Sequence, residues 1–131
     1  MQFSIILDTY TLDLLPELLE TQNSNNVQDR VYLNIKNFTD SINAKDYRYA
    51  YNKLSPGFKS NNFPTLQSFE NYIISTWYSR NNIKHVNYSE EGGLHLYDIK
   101  FENAENGLET VTRTIIMQIQ EGTDFVLSFN I

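Results

Sequence analysis

From Val27 onward, apolar side chains recur at Val27, Val31, Ile35, Phe38 and Ile42, at spacings of 4, 4, 3 and 4. This period places them on one stripe of a helix that ends near Ala44, with Gln28, Asp29, Asn34, Lys36 and Asn37 on its other faces. Asp46 can cap a second, short helix carrying Tyr47, Ala50, Tyr51 and Leu54 at i, i+3, i+4 and i+7. Ser55-Pro56-Gly57 is expected to stop that helix, since proline cannot continue the hydrogen-bond ladder and glycine suits a turn. Residues 58–64 then read as a loop. Thr65 is a suitable N-cap for a third helix with Leu66, Phe69, Ile73 and Trp77 on its apolar stripe, ending at Asn81-Asn82.

Beyond Asn82 the period falls from about 3.6 to about 2. Residues 83–89 alternate loosely, and Glu91-Gly92-Gly93 signals a hairpin turn. The next run, 94–101, sets His95, Tyr97, Ile99 and Phe101 on one face and Leu94, Leu96, Asp98 and Lys100 on the other. After a turn at 103–107, Val111, Arg113, Ile115, Met117 and Ile119 alternate with Thr112, Thr114, Ile116 and Gln118. A turn at 121–123 leads to Phe125, Leu127, Phe129 and Ile131 on one face of a last strand. Short turns between successive strands imply an antiparallel meander. The predicted class is α+β, with about three N-terminal helices packed on a four-stranded sheet. Residues 1–26 are less regular: FSIIL (3–7) has strand character, LDLLPELLE (12–20) suits a short helix, and TQNSNN (21–26) is a polar linker. The chain divides into an N-terminal extension, 1–26, and one domain, 27–131.

The 131 residues include 40% hydrophobic and 14% aromatic side chains, enough to build one core without metal or disulfide. Cysteine is absent, which removes disulfides, cysteine zinc sites and thiol nucleophiles together. A net charge of -6 with no Lys/Arg block argues against nucleic acid and against an anionic membrane surface. No segment approaches the roughly 20 apolar residues of a membrane helix. Frequent Asn, Lys, Ile and Tyr fit an AT-rich bacterial genome.

Candidate chemistry is sparse. Tyr47, Tyr51 and Trp77 either line the mouth of a pocket or seal the helices against the sheet, and aromatics at helical spacing favour packing. Tyr49 points away from both tyrosines. His95 and Asp98 are the acid/base candidates, but alternation puts them on opposite faces. His95 is expected half exposed and Asp98 near a sheet edge. Arg113 sits on an apolar face, so it must pair, snorkel to water at a strand end, or meet an anion. The two histidines lack metal-ligand spacing, and neither a phosphate loop nor a nucleophile elbow is present. No catalytic residue, metal or cofactor is assigned. The apolar face of the last two strands calls for cover by a partner.

The run FTDSINAKDYRYAYNKLSPGFK (38–59) resembles the passage that opens many NTF2-like, or cystatin-like, domains, matching at Asp46, Tyr47, Ala50, Tyr51, Leu54, Ser55, Pro56 and Phe58. NFPTLQSFENYI (62–73) resembles the capped helix that follows it. The likeness extends to SnoaL-like domains and to the N-terminal domain of methicillin-resistance-type penicillin-binding proteins. It implies a cone of helices on a curled sheet, and a small domain of a low-GC Gram-positive bacterium. Such a domain stands outside the membrane behind an anchor, the alternative being the cytoplasm. The implied function is non-enzymatic: the concave sheet face binds a protein partner, a second copy or a small apolar ligand. The alternative is an isomerase or dehydratase with a hydrophobic pocket. Tyr47, Tyr51, Trp77, His95, Tyr97 and Arg113 are the candidate pocket residues.

Overall fold

The computed structural model describes residues 27–119 and 125–130. The strand expected at 3–7, the helix at 12–20 and the turn at 121–123 lie outside the described residues. Four helices precede four strands: α1 (Val27–Asn43), α2 (Tyr47–Asn52), α3 (Pro56–Asn62), α4 (Leu66–Thr76), β1 (Asn81–Glu91), β2 (Leu94–Asn103), β3 (Thr110–Ile119) and β4 (Phe125–Phe129). The strands form an antiparallel sheet in the order β1-β2-β3-β4, and the helices pack on it.

The stripe predicted for α1 is the buried one. Val31, Ile35, Phe38 and Ile42 are at most 1% exposed, and each such side chain contributes about 1.5–3 kcal/mol by leaving water. α1 ends in a Schellman turn: Asp46 N–H donates to Ser41 O (2.9 Å) and Lys45 N–H to Ile42 O (3.0 Å). The position that favours glycine in this turn holds Lys45, at φ 63°. Asp46 then caps α2 by accepting from Tyr49 N–H at 3.3 Å.

The expected stop at Ser55-Pro56-Gly57 is instead a start. The Ser55 hydroxyl accepts from Phe58 N–H (3.3 Å), Pro56 occupies the first turn where its missing N–H costs nothing, and the supposed loop is α3. Among the described residues there are four helices for this reason, not three. Thr65 caps α4 as predicted, in a reciprocal box with Ser68. Asn81 does not end a helix but opens β1. It is buried, and Asn43 at the end of α1 both donates to its carbonyl (2.9 Å) and accepts from its N–H (2.7 Å).

The loose alternation of 83–89 has a specific cause. Register shifts between Ile83, opposite Phe101, and His85, opposite Lys100, so Lys84 is an extra residue in a β-bulge. The bulge resets the phase, and Ile83, Val86 and Tyr88 all pack against the core. On β2, His95, Tyr97, Ile99 and Phe101 are buried while Asp98 and Lys100 are exposed. Ile115, Met117, Phe125, Leu127 and Phe129 continue that buried face. The last two strands therefore do not need a partner to cover this face. The chain's own rings fill it: Phe129 meets Phe58 at 4.9 Å, Tyr72 at 5.9 Å and Phe63 at 6.1 Å between centroids.

The outer edge of β4 is also occupied. Leu54 makes a parallel bridge to Leu127, with Ser55 N–H donating to Leu127 O and Leu127 N–H to Lys53 O, both at 2.9 Å. The α2–α3 connection thus covers the outer edge of β4 at Leu127.

Candidate functional site

The helix-side face of β2 to β4 is buried by the chain's own side chains, and open space lies among the helix ends. A groove of about 310 Å³ lies where α1 ends, α2 begins and α4 ends. Ile42, Lys45, Tyr47, Ile73, Ile74, Trp77, Tyr78 and Ser79 line it. Its position follows from three local events: the Schellman turn that swings the chain from α1 into α2, the break of α4 at Trp77, and the Asn43–Asn81 clasp beneath.

The groove is apolar with two polar features. Trp77 is 5% exposed, and its indole Nε1–H is buried without a hydrogen-bond partner. That donor is closed off from solvent, and leaving it unpaired costs the folded state about 1–3 kcal/mol. Lys45 supplies the second feature. Its Nζ donates to Ser79 O at 2.8 Å and stands exposed at the rim. Ile74 is 61% exposed, large for an isoleucine beside an aromatic wall. Burial, reinforced by nearby Glu70, pushes the Tyr47 hydroxyl up from its ordinary value and keeps it a neutral donor at physiological pH.

The six candidate residues do not converge on one site. Tyr47 and Trp77 share the groove. Tyr51 faces elsewhere, its ring 5.7 Å from Phe69 and its hydroxyl donating to Phe63 O at 2.7 Å. Tyr97 is 1% exposed in the core. His95 is buried rather than half exposed, because Tyr88 stacks beside it and its hydroxyl meets Nδ1 at 2.8 Å. That hydroxyl also lies 3.4 Å from Glu90 Oε2. Asp98 lies on β2, inside the sheet rather than at an edge, and accepts from the Thr114 hydroxyl at 2.7 Å on the outer face. His95 and Asp98 are on opposite faces, as alternation required.

Arg113 neither sits at a strand end nor reaches freely into water. It pairs with Ile99 in mid-sheet, places its guanidinium 4.7 Å from the Trp77 ring centroid, and donates from Nη2 to Thr76 O at 2.7 Å. Thr76 is the last residue of α4, so the cation meets the negative end of a helix dipole. Burial pulls its proton affinity down, and the Tyr72 hydroxyl partly offsets that. Arg113 is thereby a strut that fixes the back of Trp77, whose neighbouring rings include Phe101 at 5.2 Å, Phe38 at 6.0 Å and Phe129 at 6.2 Å.

Sequence reasoning missed Lys45, Tyr78 and Tyr88. Lys45 carries one signal in hindsight: a helix C-terminus with no glycine or asparagine at the turn. Among the described residues, no three His, Asp or Glu side chains gather as a metal would need, and no helix is long and apolar enough to cross a membrane. Set against known proteins, the chain matches no family model, no curated protein and no solved structure.

Proposed function

We propose that this chain is a non-enzymatic binding domain of NTF2-like architecture, and that its ligand is a small, flat apolar molecule bearing an anionic acceptor group. The architecture is supported by helices preceding an antiparallel meander and by the matching residues of 38–59. One observation carries the ligand: a groove walled by Trp77, Tyr47, Tyr78, Ile73 and Ile74 with the Lys45 ammonium at its rim. The rings accept a flat body, and Lys45 favours negative charge. Lys45 also occupies a left-handed conformation that costs a side-chain-bearing residue about 1–2 kcal/mol, and such strain is retained where a residue is needed. A binding role is favoured over acid/base catalysis because His95 and Asp98 are separated by the sheet.

Anilinonaphthalene sulfonate, an aromatic anion, is a suitable probe. Trp77 is the sole tryptophan and can act as energy donor to it. Saturable energy transfer is expected with natively packed protein, verified by an unchanged near-ultraviolet dichroism spectrum. Lys45→Gly should raise stability by about 0.5–1 kcal/mol through relief of the left-handed strain, yet weaken probe binding severalfold. Ile74→Glu should weaken it further. If both variants bind the probe like the parent, the groove is not the site.

A further inference from the structure

The two edges of the sheet are unlike. At β4 the 53–55 segment pairs on the outer side with Leu127. At β1, no described residue pairs on the side away from β2. That bare edge runs from Asn81 to Glu91 without an internal proline or glycine to spoil it. The bulge at Lys84 divides it, leaving His85–Glu91 as a regular segment in unbroken register with β2. An unpaired edge of this kind is a template for another strand.

The segment is basic at one end and acidic at the other. His85 stands at its beginning, just after the bulge residue Lys84, and Glu90 and Glu91 stand at its end, all of them exposed. A parallel neighbour of the same sequence would set glutamate against glutamate. An antiparallel one reverses the order and sets opposite ends together. With the two-fold axis on Tyr88, His85 of each copy faces Glu91 of the other and Asn87 faces Ser89, all on the outer face. Val86 faces Glu90 and Tyr88 faces Tyr88 on the helix side. The regular segment is centred on Tyr88, so this register uses its full length. A slip of one residue would bring inward positions against outward ones.

We propose that β1 pairs with β1 of a second copy, antiparallel and centred on Tyr88, to join two sheets into one. The interface is isologous, so it closes after two copies. Two features of the fold enforce that closure. The bulge bends the strand away beyond His85, and the 53–55 segment already occupies Leu127 at the middle of the β4 edge.

Sedimentation equilibrium of the full chain over a wide concentration range tests this. A monomer–dimer equilibrium is expected. Glu91→Lys sets two basic side chains against each other at both ends of the interface, removes the carboxylate that faces His85, and should weaken the dimer about tenfold. Adding His85→Glu restores an acid–base pairing in the exchanged order, and should return dimerisation to the parent level. Both positions are exposed, so the variants should fold as the parent does. A strict monomer at every concentration overturns the proposal. So does a dimer that is indifferent to Glu91→Lys, which would place the contact elsewhere.

Discussion

Replacing Phe129 with alanine is the sharpest test of how the core is held. Phe129 is 4% exposed on β4, and its ring touches helices on three sides. Centroid distances are 4.9 Å to Phe58, 5.9 Å to Tyr72, 6.1 Å to Phe63, 6.2 Å to Trp77 and 6.3 Å to Phe38. Truncating a buried phenylalanine costs about 3–5 kcal/mol, transfer and cavity together. The upper half of that range applies here, because aromatic pairs contribute about 0.5–1.5 kcal/mol beyond area burial and several are lost at once. Domains of this size are stable by about 5–15 kcal/mol, so the variant should remain folded but poorly so. Urea titration followed by Trp77 emission reads the change at a neighbouring ring. The midpoint should fall with little change in slope. Phe129→Leu, which keeps an apolar side chain but loses the ring contacts, should cost clearly less. A loss below about 1 kcal/mol for Phe129→Ala would refute the reasoning, because it would mean that the rings around Phe129 close up without it.

Two further outcomes follow from local structure. Ser55→Ala should destabilise by about 1 kcal/mol in the same titration, since it strips the N-cap of α3; a mere helix-stopping residue would be nearly neutral there. In alkali, Tyr47 and Tyr88 matter: burial first, then Glu70 and Glu90 respectively, raises both hydroxyls above their ordinary value of 10.0. The folded state therefore holds these protons more tightly than the unfolded chain. Their contribution is complete below the unfolded value and is lost as pH climbs through the folded ones, so melting temperature should decline from about pH 10 upward. Tyr47→Phe should flatten part of that decline, and an unaltered profile would show that Tyr47 is not shielded.

Regular periodicity was the legible part of this sequence. The α1 stripe, the Thr65 cap and the alternation of β2 to β4 each depend on neighbours within a few residues, and each stands as read. Errors arose where one residue type serves two opposite ends. Ser-Pro-Gly can close a helix or open one, and here the Ser55 cap together with the packing of Phe58 on Phe129 goes with opening. Bulges are equally hidden: Lys84 looks like any polar strand residue until Phe101 and Lys100 fix the register. The burial of His95 depends on Tyr88, one strand away, and the support of Trp77 depends on Arg113, two strands from β1. The groove itself joins three helix ends that are separated in sequence, which no local pattern can reveal.

The bridge between Leu54 and Leu127 ties an early part of the chain to its last strand. Such a tie has a consequence in time as well as in space. While the polypeptide is being synthesised, α1 to α4 can form and the β1–β3 meander can begin. Yet Phe58, Phe63 and Tyr72 have no Phe129 to pack on until β4 has emerged. The growing chain must therefore carry an open aromatic surface through most of its synthesis, and its core closes in one late, long-range step.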